Sequence, residues 1–325
     1  MKIVIPGGSG RLGRLLSTAF HEKGHRVVVL SRHPRPEPWL TVPWDGKTLA
    51  DWAVQIDGAD AVINLAGRSV DCRYDEKNRR EILESRVLST RVVGQAIARA
   101  KQPPRVWLQM STATIYAHRF HAPNDENGGI LGGNEPDAPP EWRFSTDVAQ
   151  AWEREVDLTV VPSTRKVKMR TAMVMSAERG GAFHALLRQV RLGFGRFGNG
   201  LQYVSWIHED DFVRAVEWII EHGDLKGAVN LAAPYPLPNR EFMHVLRKAW
   251  GSKSEIPLTG WMLTLGAWLV RTEPELVLKS RRVVPERLID SGFTFLQPRW
   301  DRAARDLCAR WRGAADTAHQ PAPSY

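Results

Sequence analysis

Along the chain, short continuous apolar runs alternate with longer stretches in which apolar residues recur every three or four places. Lys2–Ile5, Arg26–Leu30, Ala61–Leu65 and Arg105–Met110 are short and rich in β-branched residues, and they predict strands buried on both faces. From Arg11 the spacing becomes helical, with Leu12, Leu15, Leu16, Ala19 and Phe20 on one face. Asp75–Ala100 repeats that pattern over a longer helix, with Ile82, Val87, Val92, Val93 and Ile97 as core candidates. A short third strand is expected near Thr41–Val42 and a brief helix over Leu49–Ile56. Further strands are predicted at Lys166–Met175, Gln202–Ile207 and Val229–Leu231. Further helices are predicted at Thr146–Val156, Ala182–Leu192 and Glu209–His222, and one capped by Asn239 runs through Trp250. Strands and helices in alternation imply an α/β fold built on a doubly wound parallel sheet.

The rest of the pattern is irregular. Asn124–Pro140, rich in Asn, Gly, Asp and Pro, reads as an exposed loop lying over a site. Gly193–Gly200 reads as a glycine-rich connector. Pro257–Trp311 reads as mainly helical with one strand-like piece at Phe293–Phe295, and 313–325 as a flexible tail.

Composition narrows the class without naming a function. The 325 residues are 43% hydrophobic and 25% charged, as in an ordinary globular protein. Two cysteines, Cys72 and Cys308, are too few for a disulfide or metal framework, so no metal is expected. Trp261–Val270, the longest apolar run, is too short to span a bilayer. With a strand at the very start and no signal peptide, a cytoplasmic protein without a membrane partner is expected. Lys plus Arg number 45 against 36 Asp plus Glu, a net charge of +9. These cations are scattered, as at Arg79–Arg80, Lys166–Lys168 and Arg281–Arg282. They suit a basic surface or an anionic small molecule better than a nucleic-acid groove.

The first candidate site follows from Met1–Gly13. Gly7, Gly10 and Gly13 stand at G-x-x-G-x-x-G spacing between the first strand and the first helix. In that context the first glycine serves a tight turn, the second admits a pyrophosphate, and the third lets helix pack on strand. The phosphates would rest on unpaired amides at the positive end of the helix dipole. Small residues at the end of Ala61–Leu65 also suit close approach of a ligand. After the second strand comes Arg32, with no Asp or Glu between Lys23 and Glu37. An acid there would bind the NAD ribose; an arginine accommodates the 2′-phosphate of NADP, so NADP (NADPH) is the expected cofactor.

Several segments together identify a family resemblance: PGGSGRLG (Pro6–Gly13), VINLAG (Val62–Gly67), ESR (Glu84–Arg86), STATIYA (Ser111–Ala117), AWE (Ala151–Glu153), GGAF (Gly180–Phe183), SWIHEDD (Ser205–Asp211), NREF (Asn239–Phe242) and SRRVVPERLIDSGFTF (Ser280–Phe295). The chain resembles the extended short-chain dehydrogenase/reductase superfamily, and within it the atypical epimerase family whose C-terminal segment is a domain of unknown function. The resemblance implies a Rossmann-type sheet over 1–175 that binds NADP, with 215–232 returning to it. A smaller, mainly helical C-terminal substrate lobe would occupy 176–312. It also implies that Gly7, Ser9, Gly10, Arg11, Leu12 and Gly13 contact the phosphates, Arg32 the adenosine end, and Leu65, Ala66 and Gly67 the ribose side. Ser111 and Thr112 would lie near the nicotinamide.

The superfamily's Tyr-x-x-x-Lys pair is missing. Its lysine lowers the tyrosine pKa so that phenolate can serve as general base. Here Phe144 and Val148 stand in its places, and none of the five tyrosines is followed four residues later by Lys. Thr112 falls where the substrate-orienting hydroxyl belongs. Tyr116, in the loop after that strand, is a candidate acid or base; the alternative is a buried aromatic with a bonded hydroxyl. His208 precedes Glu209, Asp210 and Asp211, which would favour its protonated form and make it a proton donor; the alternative is a histidine that holds the helix end. Glu153 is expected to cap or pair within its own helix. Trp142, Trp152 and Trp206 are expected either to wall a substrate or to be core, and Arg86 and Arg191 either to bind an anionic substrate or to be solvated. Two functions remain: an NADP-dependent oxidoreductase or epimerase-like enzyme acting on a small molecule by hydride transfer, and a non-catalytic NADP-binding sensor or scaffold. A homodimer is left open.

Overall fold

The computed structural model of the chain describes residues 1–258 and 273–317. The Trp261–Val270 run and residues 318–325 lie outside these. The chain begins with β1 (Lys2–Pro6), α1 (Arg11–Glu22), β2 (Arg26–Ser31), β3 (Leu40–Pro43) and β4 (Ala61–Asn64). It continues through α2 (Glu76–Arg99), β5 (Val106–Thr112), α3 (Arg143–Leu158), β6 (Arg165–Thr171) and β7 (Met173–Met175). Then come α4 (Ala182–Arg191), β8 (Phe194–Phe197), β9 (Tyr203–Val204), β10 (Trp206–His208) and α5 (Glu209–Glu221). The last labelled elements are β11 (Gly227–Leu231), β12 (Leu237–Pro238), α6 (Asn239–Trp250) and β13 (Ile256–Leu258). A C-terminal helix spans Trp300–Thr317.

Seven parallel strands form the main sheet in the order β3-β2-β1-β4-β5-β6-β11. The chain lays strands to one side of β1 and then returns to the other, so the switch point lies between β1 and β4. Ligands of such sheets bind in the crevice at that point, beyond the carboxyl ends of the strands. Both faces are covered. Ile3 and Ile5 join one buried cluster with Leu16 and Phe20 of α1 and Phe212 and Val216 of α5. Val4 joins the opposite cluster with Val92, Val93 and Ile97 of α2 and Val156 of α3. This double burial explains the continuous apolar runs; each such side chain contributes roughly 1.5–3 kcal/mol. A separate core brings together Phe183 and Leu187 of α4, Trp206, Phe242 and Leu246 of α6, and Trp300 and Leu307 of the C-terminal helix. Among the described residues no helix is long and apolar enough to cross a membrane.

Several local expectations are corrected. Lys166–Met175 is two strands, because β7 leaves the main sheet to pair with β10. Gln202–Ile207 likewise divides into β9 and β10. The Gly193–Gly200 connector contains β8, which pairs with β13. Leu49–Ile56 makes only a 3-10 turn over Asp51–Gln55. Asn239 is the first residue of α6 and not its cap; its Oδ1 instead accepts from the Phe197 amide at 2.8 Å. Phe293–Phe295 is irregular, and the helix that was expected to stop before Gly313 continues to Thr317. The Asn124–Pro140 loop is pinned at its start. Asn124 is fully buried, its amide donates to Arg282 O at 2.6 Å, and Val284 N donates to Asn124 O at 3.0 Å.

Candidate active site

Backbone sterics decide the glycine turn. Gly7 sits at φ +77°, and a Cβ built on it would meet Ala66 Cα and N at 2.8 Å. β1 and β4 therefore close on each other only through glycine. A Cβ on Gly13 would meet the Gly8 Cα at 2.4 Å, so α1 packs directly on the turn. Gly10 is different: at φ −74° its Cβ would meet only Gly7 O, at 3.5 Å. The flank of the turn is thus crowded at Gly7 and Gly13 and open at Gly10. Ser9, Gly10 and Arg11 are exposed. Arg14 N makes the first helical hydrogen bond, to Gly10 O at 2.8 Å. The Arg11, Leu12 and Gly13 amides have no acceptor among the described residues, and no side chain caps the helix. Such a turn can hold an anion.

Beside it lies a cleft of about 260 Å³ lined by Arg11, Leu12, Met110, Ser111, Thr171 and Glu178, among others. At the end of β2, the buried Ser31 hydroxyl donates to Ser9 Oγ at 3.0 Å, tying this strand to the turn. Arg32 and His33 follow, both exposed, and Arg32 makes no hydrogen bond or ion pair among the described residues. At the end of β4, the buried Asn64 donates to Gln109 Oε1 at 3.0 Å and accepts from the Ala66 amide at 3.1 Å. That pair fixes the path of Leu65, Ala66 and Gly67.

Next to this pair runs a buried polar row that the sequence reading missed. Ser111, Arg170 and Asn230 stand side by side across β5, β6 and β11. Ser111 donates to Glu153 Oε1 of α3 at 2.7 Å. Arg170 grips the same carboxylate with two bonds, Nε to Oε1 at 2.9 Å and Nη2 to Oε2 at 2.8 Å. Its Nη1 donates to the Tyr116 hydroxyl at 2.9 Å, which donates to Asn230 Oδ1 at 2.9 Å. Asn230 then reaches Val284 O with its side chain and the Glu126 carboxylate with its amide. Glu153 therefore pairs across the fold and not within its own helix. Despite its burial, Arg170 is held above the ordinary arginine range by Glu153. Part of the signal was present as polar residues inside otherwise apolar strands: Asn64, Gln109 and Asn230.

The three catalytic candidates separate. Thr112 is half-buried at the end of β5; its oxygen accepts from the Thr114 amide at 3.1 Å, leaving the hydroxyl proton to donate. Tyr116 is buried, with its hydroxyl bonded on both sides, and burial pushes its pKa up against the opposing Arg170 charge. His208 is fully buried and caps α5: Nδ1 lies 3.2 Å from the Asp210 amide and Nε2 3.1 Å from Asp306 Oδ2. Tyr116 and His208 thus have structural partners in place of an open face on the cleft. Among the tryptophans, Trp206 is core, tilted on Trp300, and Trp152 is buried with Nε1 donating to Thr90 Oγ1. No group of three or more His, Cys, Asp or Glu among the described residues is arranged to hold a metal ion.

Comparison with known proteins agrees with this architecture. Residues 3–232 match the NAD dependent epimerase/dehydratase family, and residues 258–307 match a domain of unknown function, DUF1731. The human epimerase family protein SDR39U1 is 29% identical over 313 residues, covering 95% of this chain and 100% of that protein. The epimerase family protein YfhF of Bacillus subtilis is 29% identical over 314 residues, covering 95% and 98%. The crystal structure of human SDR39U1 isoform 2 with NADPH is similar at a TM-score of 0.81 and 28% identity, covering 95% of this chain and 99% of that chain.

Proposed function

The chain belongs to the NAD dependent epimerase/dehydratase family, and from that premise we propose that it is an NADP(H)-dependent oxidoreductase or epimerase-like enzyme acting on a small molecule. The observation that carries the proposal is the glycine turn, crowded at Gly7 and Gly13 but open at Gly10, next to unpaired helix amides. Those amides would hold the pyrophosphate, with Leu65, Ala66 and Gly67 against the ribose. When bound, the nicotinamide supplies a site for hydride transfer. Arg32, with no acid beside it, supports NADP over NAD, and the similar human protein was crystallised with NADPH. Ser111, whose proton is committed to Glu153, offers lone pairs to a donor in the cleft. Thr112, with its oxygen accepting from Thr114, offers its proton to a substrate oxygen.

The test is a fluorescence titration with NADPH and NADH. Preferential NADPH binding supports the reading, and equally weak binding of both contradicts it. Phe144 and Val148 in place of the Tyr–Lys pair favour the second reading, a sensor or scaffold that binds NADP without turnover. Steady NADPH consumption that is lost in Thr112→Ala decides for the enzyme.

A further inference from the structure

Arg86 of α2 is a half-buried cation with no anion beside it among the described residues. Its guanidinium lies over the Trp152 indole, 5.0 Å from the ring centroid. It also lies against the β4 loop: a Cβ built on Gly67 would sit 3.3 Å from Arg86 Cζ. Among the described residues its side chain makes one hydrogen bond, from Nη1 to Ile82 O within its own helix, at 3.0 Å. No carboxylate among the described residues is within ion-pairing distance. Arginines that are more deeply buried are provided for. Arg170 has Glu153, Arg247 has Glu255 and Ser254 O, and Arg281 donates to Thr114 Oγ1 and nearby carbonyls. Burial pulls the Arg86 pKa down to about 10; the groups that oppose this are the Tyr74 phenol and the Cys72 thiol. Burial lifts both of those as well, so both are neutral at pH 7 and neither compensates the charge. A desolvated, unpaired charge is costly, and an anion arriving from outside offsets that cost.

We propose that Arg86 recognises a carboxylate on the substrate, through the Nε–Nη2 edge that the Ile82 bond leaves free. This rests on the cofactor reading above, because Gly67, whose Cβ position faces the guanidinium, belongs to the loop assigned to the ribose. A carboxylate matches that edge with two parallel bonds. A single cation between a ring face and a glycine backbone suits one planar monoanion better than a phosphoryl dianion. The Tyr74 side chain, edge-on to Phe144 with ring centroids 5.2 Å apart, adds a polar hydroxyl within electrostatic reach of the same guanidinium.

The experiment is calorimetric titration of the NADPH-loaded full chain with oxamate, the neutral amide oxamide and inorganic phosphate. Saturable oxamate binding is expected, with none for oxamide and weaker binding for phosphate. Arg86→Met should weaken oxamate by about tenfold or more, the loss of a charge-assisted contact, with NADPH affinity unchanged. Arg86→Lys keeps charge and stem but not the fork, so it should bind oxamate at an intermediate level; it serves if the Met variant does not fold. The inference is overturned by oxamate binding that neither variant changes, by phosphate binding more tightly than oxamate, or by no saturable oxamate binding in the parent protein. It is also overturned if the variants lose NADPH instead, which makes Arg86 a cofactor residue. Failure of the parent protein to bind NADPH defeats the cofactor reading and this inference together. Intact NADPH binding without oxamate binding defeats this inference alone.

Discussion

Gly10→Ala separates folding from ligand binding at the turn. In the fold, the added methyl meets only Gly7 O, at 3.5 Å, an ordinary contact, and φ −74° is open to any residue. Alanine is the poorer residue at a helix N-cap, costing about 0.5–1 kcal/mol relative to glycine. The lower entropy of the unfolded chain returns about 0.4–1 kcal/mol. The two nearly cancel, so the melting temperature should move by less than about 2 °C. In the proposed complex, the same methyl would enter the open flank where the pyrophosphate is placed against the Arg11 and Leu12 amides. Losing one charge-assisted hydrogen bond costs roughly 1.5–3 kcal/mol, an affinity loss of about tenfold to a hundredfold. The assay is NADPH titration by fluorescence alongside thermal denaturation. An unchanged melting temperature with NADPH bound as tightly as by the parent protein refutes the reasoning, because the flank of Gly10 is then not where the phosphates lie.

Further predictions rest on other parts of the molecule. Arg32→Ala should weaken NADPH by about tenfold while leaving NADH unchanged, read in paired titrations. Glu153→Leu strands the Arg170 charge and should destabilise by roughly 3–5 kcal/mol in urea unfolding, whereas the double substitution with Arg170→Met should recover most of that loss. Burial and then Arg281 hold Lys279 at about 8, below its ordinary 10.5, with Glu275 and Glu135 opposing. Between these pH values the unfolded chain binds the extra proton. The cost of burying the charged lysine is therefore present below about pH 8 and is relieved as pH rises towards 10.5. Lys279→Met should flatten that rise in a pH series of unfolding midpoints.

Periodicity was enough for the sheet, because strands such as Ile3–Val4–Ile5 are buried on both faces and leave an unbroken apolar record. The glycine turn was legible for a similar reason: its steric demands are local. Less legible were features that depend on partners far away in sequence. Gly193–Gly200 hides β8 because its pairing partner, β13, begins at Ile256. Asn124 looked like loop composition, yet it is buried against Arg282 and Val283. Glu153 and Arg170 looked like ordinary surface charges of a helix and a strand; only the register of Ser111, Arg170 and Asn230 brings them to one buried row. His208 carried a signal that admitted two chemistries, and the position of Asp306, on the C-terminal helix, explains why it serves as a cap.

A crystal structure of the chain grown with NADPH tests the central claim most directly. The account predicts the pyrophosphate on the Arg11 and Leu12 amides, passing the bare flank of Gly10, with the 2′-phosphate beside Arg32. A nucleotide bound elsewhere, or phosphates directed away from the start of α1, contradicts it.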